Sequence, residues 1–196
     1  VSPFSWIKHN LASAFLFACL FVGSTPQQRS SYADASEGGI RKEGFYCRNA
    51  SERKKTVLKD YSVIGIPGDG RCLFRSLAHG ACIRSGKPAP SESRQMELAD
   101  ELRSRVADEF IKRRKETEWF VEGDFDEYVS QMRKPHVWGG EPELLMASHV
   151  LQAPISVYMY DEGAGGLISI AEYGQEYGKE NPISVLFHGY GHYDAL

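Results

Sequence analysis

At 196 residues, 42% apolar and 12% aromatic, the chain is long enough to bury one sizeable core and still leave a tail. Its formal charge of −3 is unevenly spread: residues 1–60 carry nine basic and five acidic side chains (+4), residues 61–196 fourteen and twenty-one (−7). A region at −7 argues against nucleic acid as a partner and suits a basic one, and the same charge keeps a domain soluble.

Leu11 to Val22 is a 12-residue apolar run after Lys8-His9-Asn10, followed by Gly23-Ser24-Thr25-Pro26. It is too short to span a bilayer comfortably and resembles the h-region of a signal peptide or a membrane-associating segment. Two readings stand side by side: residues 1–26 as a signal-like or membrane-associating segment, or as an untargeted extension. Asn49-Ala50-Ser51 is a formal glycosylation triplet that carries no weight. Gln27 to Lys59 is rich in Ser, Gly, Lys and Arg without apolar periodicity. It reads as a largely disordered linker over 27–60, ending in a short basic helix over Ser51–Lys59. The folded unit is placed at 61–196.

Within that unit, Ser62-Val63-Ile64-Gly65-Ile66 reads as a strand and Pro67 to Gly70 as a tight loop. From Cys72 the pattern turns helical, with Leu73, Leu77 and Ala81 at spacings of four. Ser91 or Ser93 can cap a helix running to about Lys115, with Ala99, Leu102, Val106 and Phe110 on one face. Phe125, Tyr128, Val129 and Met132 form a shorter stripe stopped by Pro135, and Pro142 suits the first turn of a helix through about Leu151. Strands are expected over Ile155–Tyr160, Leu167–Tyr173, Ile183–His188 and His192–Leu196, with Gly163–Gly166 and Gly189-Tyr190-Gly191 as turns. The class is α+β, helices packed on a small sheet.

Cys72 is the residue of most chemical interest. It sits where a loop becomes a helix, and there the unpaired N–H groups and the positive dipole end favour a thiolate and can donate to an oxyanion. A cysteine nucleophile also needs a base brought near in space, and His192, 120 residues later, starts the last strand. Asp194 lies two residues on, so its carboxylate shares a face with the His192 ring and can orient it. His188 is the competing base, but no acid stands two positions after it. Cys82 has no such loop and reads as an ordinary small, buried apolar residue.

The four cysteines (Cys19, Cys47, Cys72, Cys82) form no Cys-x-x-Cys pair and no disulfide framework, which fits a reducing compartment. His188 and His192 are separated by a Gly-Tyr-Gly turn, and no second pair completes a ligand set, so neither metal nor cofactor is expected. Gly65-x-x-Gly68-x-Gly70 before a helix superficially suggests a phosphate loop. Its order is not Gly-x-Gly-x-x-Gly, no Lys-Ser/Thr follows, and no second βαβ strand appears.

Gly68-Asp69-Gly70-Arg71-Cys72-Leu73-Phe74-Arg75-Ser76 resembles the nucleophile loop of ovarian-tumour (OTU) family cysteine proteases. Trp138-Gly139-Gly140-Glu141-Pro142-Glu143-Leu144-Leu145-Met146-Ala147 resembles the family's middle motif, and His192-Tyr193-Asp194-Ala195-Leu196 its histidine strand. The likeness, strongest to plant members, runs from Tyr61 to Leu196. It implies a papain-like α+β fold with a small sheet between helices, and a thiol-dependent deubiquitinase cleaving after the C-terminal Gly-Gly of ubiquitin. The alternative is a catalytically silent ubiquitin-binding module.

The resemblance further implies Asp69 as a catalytic member, although a carboxylate three residues before a thiolate should oppose it if turned inward. Asp69 is therefore expected to shape the loop while nearby backbone N–H groups, with that of Cys72, form the oxyanion hole. Trp138, Gly139, Gly140 and Tyr193 are the expected substrate-binding residues, the glycines passing an extended tail and Trp138 walling its channel. Implied too are ubiquitin and polyubiquitin as partners, a monomer and a cytoplasmic catalytic domain, while the apolar run at residues 11–22 adds membrane association or organelle targeting as one of its two readings.

Overall fold

The computed structural model describes residues 57–196. The apolar run at 11–22, the linker as far as residue 56 and the start of the expected basic helix lie outside the described residues. Five helices and five strands follow in order: β1 (Val57–Leu58), α1 (Cys72–Arg84), α2 (Glu92–Lys112), α3 (Arg114–Thr117), α4 (Phe125–Met132), α5 (Glu141–Leu151), β2 (Ile155–Asp161), β3 (Gly166–Tyr173), β4 (Ile183–Phe187) and β5 (Tyr193–Ala195). The strands form one sheet in the order β1-β3-β2-β4-β5. Only the β2–β4 pair is parallel.

The helix boundaries follow from local chemistry. Ser91 caps α2 by accepting from the Arg94 N–H, and Asp124 caps α4 by accepting from the Glu127 N–H at 2.9 Å. Pro142 occupies the first turn of α5, where no N–H is required. The second helix stops at Lys112 rather than near Lys115, because the chain breaks at Arg113 and re-forms as the single turn α3.

Two expectations change. Val57–Leu58 is a strand paired with β3, not part of a basic helix, so the sheet starts before residue 61. Ser62–Ile66 is not a strand: only Ile64 bridges to Ala195. The reason lies at the end of the sheet. Strand β5 has three residues, and the Ile66 N–H donates instead to the Asp194 carboxylate at 2.6 Å. A side chain has taken the donor that a ladder would have used.

The α1 helix packs against β4 and β5 on one side and α2 on the other, and α2 in turn carries α4 and α5. Phe74, Leu77, Ala99, Leu102, Val106 and Phe110 are all fully enclosed, so the apolar stripes read from the sequence meet each other. Gly80 makes the close approach of α1 to the sheet possible, since a Cβ there would stand 2.7 Å from Ile183 Cγ2. Ser76 ties the same helix to β5, its hydroxyl donating to the carbonyls of Cys72 (2.8 Å) and Tyr193 (3.1 Å).

One buried cation organises the loops. Arg103, 1% exposed on α2, stacks its guanidinium 4.3 Å over the Phe74 ring. It donates to the carbonyls of Gly70 (2.7 Å), Val137 (2.8 Å), Met132 (3.1 Å) and Pro135 (3.2 Å). One side chain thereby fixes the loop before Cys72, the end of α4 and the segment leading to Trp138. Burial pulls its pKa below the ordinary arginine value, and the carbonyl dipoles surround its two terminal nitrogens while Nε is buried without a partner.

Arg103→Met keeps an unbranched stem and strands four carbonyls. It should cost about 3–5 kcal/mol of stability, read as a lowered urea midpoint with an unchanged slope. Arg103→Lys should recover only part of this, because an ammonium lacks the planar fork.

Candidate active site

The loop before α1 is built around a glycine and an aspartate. Gly70 has φ +86, and a Cβ there would stand 2.6–2.8 Å from the backbone of His136, so only glycine fits. Asp69 turns its carboxylate along its own loop, accepting from the Arg71 N–H at 2.9 Å and from the Arg75 guanidinium at 2.9 Å. Burial alone would raise its pKa, but those two donors outweigh it and hold the carboxyl below the usual value. Arg75 is itself 2% exposed and is held from the other side by Gln95 Oε1 at 2.8 Å. Asp69 thus shapes the turn through Arg71 and Arg75. The Arg71 N–H is also spent there, while the Cys72 N–H at the head of α1 precedes any intrahelical acceptor.

Cys72 is the first residue of α1 and is 6% exposed, its sulfur 3.6 Å from the Gly191 carbonyl oxygen. Gly191 immediately precedes His192 in the β4–β5 turn, so the thiol lies against the base of the histidine hairpin. His192 stands one residue before β5, its N–H donating to the Gly189 carbonyl. Its Nε2 is 3.2 Å from Asp194 Oδ1. Its Nδ1 faces the nucleophile loop, 4.0 Å from where a Cβ on Gly68 would be. A carboxylate only accepts hydrogen bonds, so His192 presents Nε2–H to Asp194 and keeps its Nδ1 lone pair on the side of the Cys72 loop.

Asp194 is 8% exposed and serves more than one donor. Besides His192 and Ile66, it accepts from His188 Nε2 at 2.7 Å on Oδ2. The sequence argument that His188 lacks an acidic partner is therefore corrected. Its partner comes from across the hairpin, six residues on, rather than two positions along one strand.

The expected substrate-binding residues divide. Trp138 is 64% exposed and lies on Gly191, where a Cβ would come within 2.5 Å of its ring, so it stands beside the thiol as a wall. A Cβ on Gly140 would meet nothing closer than Glu143 Oε2 and Pro142 Cδ at 4.0 Å, and the Gly140 N–H donates to Glu143 Oε2 at 2.6 Å. Gly139 and Tyr193 have packing contacts of their own. A Cβ on Gly139 would stand 2.7 Å from Leu73 Cδ2, so this glycine lets its loop pack onto α1. Tyr193 is 6% exposed and packs on Phe187 with ring centroids 4.9 Å apart. Burial pushes its phenol up to about 12. It points opposite to His192 and Asp194, as strand alternation requires.

Sequence reasoning also missed Glu143. This 1% exposed carboxylate accepts from Tyr128 Oη at 2.5 Å and from Gly140, pinning the turn between Trp138 and α5. Burial raises its pKa against those hydrogen bonds. The Glu at the third position of a helix beginning Glu-Pro-Glu was a usable signal, since such a residue often reaches back to the cap N–H. Among the described residues no group of three or more His, Cys, Asp or Glu side chains could hold a metal ion, and no helix is long and apolar enough to cross a membrane.

A model of the OTU-like cysteine protease family matches residues 67–194, from the nucleophile loop to the histidine strand. The chain is 67% identical over 181 residues to OVARIAN TUMOR DOMAIN-containing deubiquitinating enzyme 4 of Arabidopsis thaliana, a match covering 90% of this chain and 56% of that protein. It is 34% identical over 171 residues to deubiquitinating enzyme 3 of the same plant, covering 76% and 72%. The chain thus spans little more than half the length of the first relative. Among solved structures, the OTUD1 OTU domain superposes with a TM-score of 0.53 at 23% identity, covering 68% of this chain and 83% of that one. The Hazara virus OTU bound to ubiquitin gives 0.53 at 25%, covering 68% and 79%. The helices and mixed sheet seen here are the fold those domains share, and with the match reaching from the turn before Cys72 to Asp194, the chain belongs to the OTU-like cysteine protease family.

Proposed function

We propose that the chain is a thiol-dependent deubiquitinase, with Cys72 as nucleophile, His192 as general base and Asp194 as the residue that orients it. The observation that carries the reading is the convergence of three elements. The head of α1 presents the Cys72 sulfur to Gly191, the next residue turns His192 Nδ1 toward the same loop, and Asp194 on β5 holds the far nitrogen. The names of the relatives and the ubiquitin-bound viral neighbour support ubiquitin as the substrate.

In this reading His192 Nδ1 takes the Cys72 proton, and the sulfur adds to the carbonyl carbon of the bond between ubiquitin's last glycine and a lysine amine. The carbonyl electrons move to an oxyanion held by the Cys72 N–H and its loop neighbours. Collapse breaks the C–N bond, and the imidazolium gives its proton to the departing amine. Water, deprotonated by His192, then adds to the thioester. Collapse of that second intermediate returns the Cys72 thiol and frees the ubiquitin carboxylate. Trp138 on Gly191 suits a narrow, extended Gly-Gly tail, which has no side chain to clash with the indole. Asp69 contributes by fixing the loop rather than by touching reacting atoms. The catalytic domain is assigned to the cytoplasm, where ubiquitin and a free thiol coexist.

Cys72→Ala should abolish chain cleavage while leaving the Tm within about 2 °C of the parent, because it removes one sulfur at a helix start. The check is a ubiquitin probe carrying a C-terminal electrophile. The parent should gain one ubiquitin mass and the variant none; capture of the variant through Cys82 would sink the assignment.

Asp69 offers a pH test with a defined sign. Its folded-state pKa is lowered, so its stabilisation is present above the unfolded carboxylate value and fades as pH falls through the folded one. Asp69→Asn should therefore be less stable than the parent at pH 7, and the gap between their urea midpoints should close on acidification. A gap that widens at low pH would contradict the Arg71 and Arg75 assignment.

A further inference from the structure

We propose that His188 is a positioning residue for the reaction, acting on His192 through the carboxylate they share; this rests on the deubiquitinase reading above. Asp194 Oδ1 is already engaged by the Ile66 N–H at 2.6 Å, and His192 takes a second, longer bond of 3.2 Å to the same atom. An aspartate's last torsion is soft, so a well-made bond on the second oxygen adds to the hold that the Oδ1 bonds begin. His188 Nε2 holds that second oxygen at 2.7 Å, the shorter of the two histidine contacts. With both oxygens pinned, Oδ1 stays where His192 Nε2–H can find it, and His192 Nδ1 stays turned to the Cys72 loop.

The frame that delivers His188 is as well defined as the one that delivers His192. His188 follows β4 directly, and its N–H donates to the His192 carbonyl at 3.1 Å, closing the hairpin. The two rings lie 5.6 Å apart, tilted by 37°, on either side of the carboxylate they share. Asp194 is enclosed, its side chain 11% exposed, while the His188 side chain is 44% exposed. Truncating a half-exposed ring removes little packing, so a purely structural role predicts almost no consequence for turnover. A positioning role predicts a loss in the chemical step alone.

The full chain is assayed with a fluorogenic C-terminal amide of ubiquitin, as parent, His188→Ala and His188→Gln. The glutamine amide can donate to Oδ2 from nearly the position of Nε2. His188→Ala should lower kcat about tenfold with KM within about twofold, and His188→Gln should return to within about threefold of the parent. The second readout is the side-chain Nε2–H resonance of His192 in 15N-histidine-labelled protein, which needs no substrate. It should be sharp in the parent and His188→Gln and broadened by exchange in His188→Ala. Parent-like kcat in His188→Ala, equal losses in both variants, or an unchanged His192 resonance would overturn the proposal. A parent that releases no fluorophore would overturn the deubiquitinase reading instead, and the His192 resonance would still decide on His188.

Discussion

The Arg103 guanidinium is the interaction on which the rest of the site depends. It is enclosed against Phe74 and surrounded by the carbonyls of Gly70, Met132, Pro135 and Val137, which come from three separate segments. Each of those segments would otherwise bury an unpaired acceptor, at about 1–3 kcal/mol apiece, so none can move away alone. Gly70 precedes the thiol by two residues, and Val137 precedes Trp138 by one. A charge buried on α2 therefore sets the distance between the nucleophile loop and the residue that walls it. The planar fork is what makes this possible: an ammonium of the same charge could not face so many acceptors at once.

At the opposite edge, Asp194 does for the histidine hairpin what Arg103 does for the loops. It is an enclosed acceptor that gathers donors from the chain before α1 (Ile66), the end of β4 (His188) and the start of β5 (His192). The two hubs meet at Cys72, whose loop Arg103 holds through Gly70 and whose sulfur touches Gly191 beside His192. Ser76, bonded to both Cys72 and Tyr193 carbonyls, locks the helix to the strand between them. The reacting groups can therefore be few while the polar scaffold that holds them is large.

Much of this was legible in the sequence, and the pattern of success is physical. Cys72, His192 and Asp194 could be picked out because their signals are local: a glycine turn before a helix, and two residues on one strand face. The stripes through Leu102 and Phe110 or Val129 and Met132 repeat at helical spacing and needed nothing from afar. Misreadings came where a distant partner decided. Ser62–Ile66 has strand composition, but Asp194, 128 residues away, takes its donor. Val57–Leu58 sits in a basic stretch and becomes a strand only because β3 offers an edge. His188 was set aside for want of a neighbouring acid, and a hairpin supplied one. Gly139 and Tyr193 belong to motifs that surround a site, and a motif does not say which of its residues face the substrate and which face the core.

Two carboxylates lie near a thiol meant to act as an anion, and that arrangement needs an explanation. Left free, either would oppose a negative sulfur by like-charge repulsion at short range. Neither is free. Asp69 is matched by the Arg75 guanidinium and the Arg71 N–H, which also lower its own pKa, so its field at the helix start is largely that of an ion pair. Asp194 is matched by the donors of Ile66, His188 and His192, and a proton arriving on His192 places a cation between that carboxylate and the thiol. The negative charges are thus matched by partners, while the head of α1 keeps unpaired N–H groups at the residue that carries the sulfur. The acidic residues give the loop and the ring their geometry without imposing their charge on the nucleophile. This is why Asp69 can stand three residues from Cys72 in a site whose chemistry requires a thiolate.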